Sequence, residues 1–376
     1  MIIKNARVFN ENQTFEEKAI FIDNDLIVSY NKNHPSNDMI IDAAGLYAIP
    51  GLTDIHFHGC AGYDFCDGTL EALDTIAKYE AQNGVTTICP ATMTLPEERL
   101  SDICKNAAIY NNSEGAILCG INMEGPFLSL KKKGAQNAAF LHKPDMEMFD
   151  RLDKLSGNKI KLVAIAPEME GAMDFISELK GKKVISIAHT TADYDTAQEA
   201  FQKGASHVTH LYNAMPPFQH RDPGVIGAAF DAPDCKVEII CDGVHIHPSV
   251  VRATLKMFGE DRVIFISDSM MATGLPDGKY ALGGQEVIVK GRKAELVIDG
   301  AIAGSVTNLM DCMKNAVINM GIPLEKAVKA AAVNSAKAIG IYDKFGSISV
   351  GKIANIVLLD KDLNIKFVIL RGKILN

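Results

Sequence analysis

Pro50-Gly51-Leu52-Thr53-Asp54-Ile55-His56-Phe57-His58-Gly59 decides the reading of this 376-residue chain. Its two histidines stand at i and i+2. On a strand alternate side chains point the same way, so His56 and His58 are expected on one face and Ile55 and Phe57 on the other. Gly59 and Gly62 stop the strand at once. The imidazoles therefore fall at the carboxyl end of the strand, where parallel α/β folds carry their chemistry. Imidazole is the commonest protein ligand for metals. A His-x-His pair there holds one cation from two directions once other segments add ligands.

Working outward, residues 1–48 carry only short strand patterns, Ile2-Ile3, Ala6–Phe9, Lys18–Ile22 and Leu26–Val28, between Asn and Asp turns. The complement lies at the other end, in Ala354–Leu359, Ile365–Leu370 and Lys373–Leu375. The expectation is a small β-sandwich built from residues 1–48 and 347–376, with residues 49–346 inserted as a separate catalytic unit. Within that insert the pattern alternates. Apolar strand runs occur at Ile49–His58, Val85–Ala91, Ile117–Met123, Ile160–Ala166, Val184–His189, His207–Leu211, Val237–Cys241 and Val263–Ser267. Helical patterns lie between most of them, at Leu70–Gln82, Glu97–Tyr110, Asp145–Leu155, Ala172–Leu179, Tyr194–Lys203 and Pro248–Phe258. Eight such strands alternating with helices predict a (β/α)8 TIM-like barrel. A doubly wound sheet lacks its mark, since no Gly-x-Gly-x-x-Gly turn follows the first strand. An insert from Tyr280 to Ile298 reads as a β-hairpin, and two Ala-rich helices follow at 305–319 and 323–339.

Composition narrows the partners. The net charge is −8, with no basic block, which argues against nucleic acid and against an anionic membrane. No apolar run approaches the ~20 residues of a membrane span, and Met1-Ile2-Ile3-Lys4-Asn5 reads as a strand, not a signal peptide. The 8 cysteines include no Cys-x-x-Cys pair and several sit in strand runs, as Cys89, Cys119 and Cys241 do. They read as buried thiols of a cytoplasmic protein.

Polar residues recur where the strand runs end: Asn122-Met123-Glu124-Gly125-Pro126, Ala188-His189-Thr190, His207-Val208-Thr209-His210, Asp242-Gly243-Val244-His245 and Ser267-Asp268-Ser269. A barrel gathers its strand ends into one ring. His56, His58, Glu124, His189, His210 and Asp268 are then expected around one cavity, a cluster hard to satisfy without a cation. A borderline divalent ion suits this mixture of N and O donors. His207 and His210 are an odd step apart, so only one should enter the mouth. His210 lies nearer the strand end, leaving His207 to pack. His34 and His142 read as surface residues.

These motifs resemble the amidohydrolase superfamily. Asp42-x-x-Gly45, Pro50-Gly51, Asp54-x-His56-x-His58 and the return run Gly351-Lys352-Ile353-Ala354-Asn355 carry the likeness, Asn355 standing where an Asp is customary. Glu124-Gly125-Pro126-Phe127 with Lys133-Gly134-Ala135, and His210-Leu211-Tyr212-Asn213-Ala214-Met215, resemble the branch that deacetylates phosphorylated N-acetylated amino sugars. The resemblance implies hydrolysis of the acetamide of N-acetyl-D-glucosamine 6-phosphate. It implies a principal cation on Glu124, His189 and His210, and a second permitted by His56, His58 and Asp268. Zn or Fe is the expected ion, one or two per subunit. Asp268 is implied as general base and acid, and His245 as the group that polarises the carbonyl. The implied substrate contacts are Ala135, Gln136, Asn213, Ala214, Arg221, His245, Ile302, Ala303 and Gly304; Gln136 stands where some relatives have His. Arg221 is the expected phosphate cation, because a planar guanidinium suits phosphate, and a homodimer sharing that loop is expected. Another member of the superfamily, a cyclic amidase or a deaminase, is the alternative, and a non-enzymatic barrel the remote one.

Overall fold

The computed structural model describes residues 1–29 and 39–375; His34 lies outside the described residues. Eight parallel strand segments run in order. They are Leu52–Asp54, Val85–Ile88, Ile117–Leu118 continued by Ile121–Met123, Ile160–Ile165, Val184–Ile187, His207–Val208, Lys236–Ile240 and Val263–Ile266. Each pairs in parallel with the next. An Ala91–Asn122 bridge ties the second to the third. The eighth segment returns to the first through Asp268 N–H to His56 C=O at 2.9 Å and His58 N–H to Ser269 C=O at 2.7 Å. The result is a TIM-barrel-like α/β fold.

The strands form because their β-branched runs are buried on both faces, as parallel strands sheathed by helices require; Val263–Ile266 is buried throughout. The helices begin where a polar side chain meets the first free amides. Thr69 accepts from Ala72 N–H ahead of Leu70–Gln82, Asp145 from Met148 N–H ahead of Met146–Leu155, and Asp193 from Thr196 N–H ahead of Tyr194–Lys203. One helix, Gly224–Asp231, escaped the periodic pattern. Six successive residues from Gly224 to Ala229 are buried, so no polar stripe betrays it. The expected hairpin after the eighth strand has a third member, Gly278–Leu282, Gln285–Lys290 and Lys293–Leu296 forming an antiparallel meander.

The two chain ends do meet, but hydrogen bonds join them into one eight-stranded mixed sheet where a sandwich was expected. Tyr47–Pro50 is the reason. It pairs antiparallel with Ile356–Leu359 on one side and parallel with Ile2–Phe9 on the other. One face of the sheet closes over its own cluster of Ile3, Val8, Ile20, Ile356 and Leu358; Phe9, Val357 and Leu359 join the barrel's core. Gly51 then turns the chain into the first barrel strand, and a Cβ there would collide with the Thr86 side chain.

Inside this core Glu80 is fully buried and neither carboxylate oxygen has a hydrogen-bond partner. Burial, aided by the charge of Asp54, pushes its pKa from 4.5 up to about 8. The folded chain therefore holds a proton that the unfolded chain has released, and this contribution to stability is lost as pH rises from about 4.5 to about 8. Glu80→Gln should remove up to ~1.4 kcal/mol per pH unit of that slope. Urea denaturation near pH 5 and near pH 8 reads it; unchanged slopes in the variant would refute the assignment.

Candidate metal centre

The ligand-type side chains stand just past the strand ends, and the backbone there leaves the β region. His189, His210 and Asp268 have φ of 43°, 28° and 50°. Such left-handed conformations cost non-glycine residues ~1–3 kcal/mol each and persist only where the surroundings enforce them. His189 C=O accepts from Ser129 N–H, and Asp268 is pinned by its bond to His56 and by Ser305 N–H donating to its carbonyl. His56 and His58 also lie beyond Asp54, the last residue of the first strand. Ile55 and Phe57, expected to share a face, pack in separate clusters, Ile55 with Ile240 and Ile264, Phe57 with the helices. The chain has left strand geometry, yet both imidazoles are buried and their ring centroids are 5.7 Å apart.

Glu124 is the centre. Its Oε1 lies 3.2 Å from Nε2 of His189, 3.2 Å from Nε2 of His210 and 3.4 Å from Nε2 of His56. Its Oε2 lies 3.3 Å from Nε2 of His58. Asp268 Oδ1 sits 3.4 Å from His58 Nε2 and 3.8 Å from His56 Nε2. Two trios therefore share one carboxylate: His56, His58 and Glu124, and Glu124, His189 and His210. Nε2 of His189 and of His210 converge to 3.2 Å, and buried His56 Nε2 has no hydrogen-bond partner. Convergent imidazole nitrogens around a shared carboxylate fit a divalent cation of the borderline class.

The electrostatics follow. Burial opposes charge on His56, but Glu124 and Glu238 outweigh it and hold its pKa well above 6.5. Burial likewise opposes charge on His58, and its bonds to Asp268 and Glu124 lift it to about 10. Burial pushes Glu124 and Asp268 upward, and the surrounding imidazoles reverse that and hold both low. Cation uptake by the first trio must therefore displace protons from His56 and His58.

A second layer orients the first. His189 Nδ1 donates to Lys132 C=O at 2.8 Å, and His245 Nδ1 bonds Asp242 Oδ2 at 2.8 Å. Burial works against charge on His245, and Asp242 overrides it, holding the pKa above 6.5. Gln136, expected against substrate, lines the cavity and also braces the cluster. Its amide donates to Glu124 Oε2 at 3.0 Å and accepts from Thr94 N–H at 2.6 Å. Glu238 was missed. It is fully buried on the seventh strand and its Oε2 lies 2.8 Å from His56 Nδ1. The signal was a lone acid inside the apolar run Val237-Glu238-Ile239-Ile240. His207, expected on the opposite side from His210, bonds Ser186 Oγ at 2.9 Å and lies 3.8 Å from Glu238 Oε1. Both histidines face the interior at different depths, because the strand ends at Val208 and the chain turns before His210.

The trios open into a cavity of about 390 Å³. Ala135, Gln136, Asn213, Ala214, His245, Ile302 and Gly304 line it, as do Lys131 and Lys132. Ala303 is buried beside it. Arg221 is exposed and does not line this cavity; His142 is exposed, as expected. No helix among the described residues is long and apolar enough to cross a membrane.

A parallel barrel whose strand ends gather imidazoles and carboxylates defines a cation-dependent barrel enzyme. Residues 47–375 match the family model described as the Amidohydrolase family, and the chain belongs to that family. The chain is 35% identical over 383 residues to N-acetylglucosamine-6-phosphate deacetylase of Bacillus subtilis, covering 100% of this chain and 96% of the relative. A mutant of that deacetylase from Mycobacterium smegmatis, solved in complex with N-acetyl-D-glucosamine-6-phosphate, superimposes with TM-score 0.91 at 29% identity, covering 100% of this chain and 99% of the other. The Pasteurella multocida deacetylase gives 0.92 at 31% identity, over 99% and 98%.

Glu124 belongs to both trios, so Glu124→Ala should abolish cation uptake. Zn²⁺ added to chelator-treated wild type at a hundredfold excess over Kd should stabilise it by ~2.7 kcal/mol. A melting-temperature rise of the same size in the variant would remove Glu124 from the ligand set.

Proposed function

We propose that this enzyme hydrolyses the acetamide of N-acetyl-D-glucosamine 6-phosphate, releasing acetate and D-glucosamine 6-phosphate. The observation that carries the reading is a cavity lined by Glu124, His189, His210, His245 and Asp268, in a chain that aligns end to end with deacetylases of that name. Glu124, His189 and His210 would hold the principal cation, and His56 and His58 with Glu124 would hold a second where one is bound, Asp268 lying against them. Imidazole and carboxylate donors suit Zn²⁺ or Fe²⁺. When bound, such a cation lowers the pKa of water to ~7 and polarises a carbonyl oxygen.

The chain's own groups do the rest. Asp268 accepts a proton from the attacking water as its oxygen bonds the acetyl carbon. It returns that proton to the amine nitrogen as the C–N bond breaks, so the carboxylate is regenerated. His245 donates from Nε2 to the carbonyl oxygen as negative charge develops there, and Asp242 keeps the ring aimed. Ala135, Asn213, Ala214 and the 302–304 turn border the sugar. Arg221 is exposed and outside its own chain's cavity, so its role at the phosphate requires a homodimer in which each subunit lends this residue to its neighbour. The free thiols support a reducing, cytoplasmic setting.

Three measurements test this. Cation-loaded protein should release acetate from the 6-phosphate sugar; ammonia release without acetate would point to a deaminase. Asp268→Asn and His245→Ala should each lower kcat, the latter ~100–1,000-fold, and near-normal turnover would exclude the role. Arg221→Ala should raise KM far more for the phosphorylated than for the unphosphorylated sugar, and equal effects would remove the assignment.

A further inference from the structure

Glu238 lies on the seventh barrel strand, pointing into the barrel beneath the mouth with no exposed surface. A buried carboxylate is expensive unless paired and hydrogen-bonded. Its partners are specific. Oε2 lies 2.8 Å from His56 Nδ1 and accepts from His210 backbone N–H at 3.1 Å. Oε1 makes no hydrogen bond and faces His207 Nε2 at 3.8 Å. His207 is turned by its own bond to Ser186, whose hydroxyl meets that of Thr209 at 2.6 Å. An ionised carboxylate can only accept. It therefore keeps a proton on His56 Nδ1, so the nitrogen that would give its lone pair to a cation is Nε2, which lies 3.4 Å from Glu124 Oε1. A histidine ligand in that arrangement is held in tautomer and rotation by its outer partner. His58 has no equivalent; its Nδ1 is buried without a hydrogen-bond partner.

Resting on the cation-dependent reading above, we infer that Glu238 is a positioning residue that makes the His56–His58–Glu124 trio competent to hold a second cation. Its one hydrogen bond to the trio of Glu124, His189 and His210 is the one Oε2 accepts from the backbone N–H of His210, and it bonds none of that trio's side chains.

The test counts ions. Wild type, Glu238→Gln and Glu238→Asp are stripped with chelator, and Mn²⁺ is titrated while bound ion and the paramagnetic resonance spectrum are followed. Wild type should bind two ions per chain and show the exchange-coupled signal of neighbouring Mn²⁺. Glu238→Gln keeps the volume and Glu238→Asp the charge. Each should weaken one of the two ions ~10–100-fold, erase the coupled signal and leave the other ion at wild-type affinity. Two ions at unchanged affinity in both variants overturn the inference. So does one ion in wild type, or the joint loss of both ions in the variants with a lowered melting temperature, which would mark a structural role. Two ions in wild type and one in the variants, without acetate release from loaded wild type, would support the inference while sinking the proposed reaction.

Discussion

Four imidazoles crowd one buried carboxylate, and the rest of the molecule exists under that constraint. Glu124 lies within 3.4 Å of Nε2 of His56, His58, His189 and His210. Burial disfavours the charge on Glu124 and on His56 and His58, and their opposite-charge neighbours, Glu238, Asp268, His189 and His210 included, reverse the penalty. Such a cluster cannot assemble from neighbours in the chain. It needs a closed ring of strands, so that the first and eighth meet through the backbone bonds of His56 and Asp268. The left-handed turns at His189, His210 and Asp268 are the local strain that the closed ring holds in place.

Around that centre the protein separates holding from reacting. Lys132 C=O, Gln136 and Glu238 brace ligand-type side chains, and of the three Glu238 is sealed from solvent altogether. Asp242 does the same for His245, whose other nitrogen is left for the cavity. Gln136 straddles the division. Its position next to Ala135 reads as a sugar contact; it does line the cavity, and the same amide also braces Glu124 and Thr94.

Much of this was legible in the sequence, and each failure has a physical cause. The eight strand segments lie within the apolar runs that marked them, being buried on both faces, and six of the barrel helices lie where their 3.6-residue period put them. The helix Gly224–Asp231 was invisible because it is buried nearly all round. Alternation failed at Ile55 and Phe57, and again between His207 and His210, because the strands end at Asp54 and Val208 and the period of two ends with them. The third strand of the meander, Lys293–Leu296, is only four residues long; it pairs with Gln285–Lys290 and bridges Ile302. Glu238 carried a visible signal, an acid within an apolar strand, but no sequence pattern names its partner 182 residues away.

By itself, the sequence determined the alternation of strand and helix, the identity of the donor groups and the strand ends that bear them. Those properties are local, set by side-chain chemistry and by the spacing of apolar residues. Only the tertiary structure decided which donors share Glu124, which acid aims His56, and that both chain ends join one sheet. Each of those depends on backbone geometry past the end of a strand and on contacts between segments far apart in the chain, where no local period reaches.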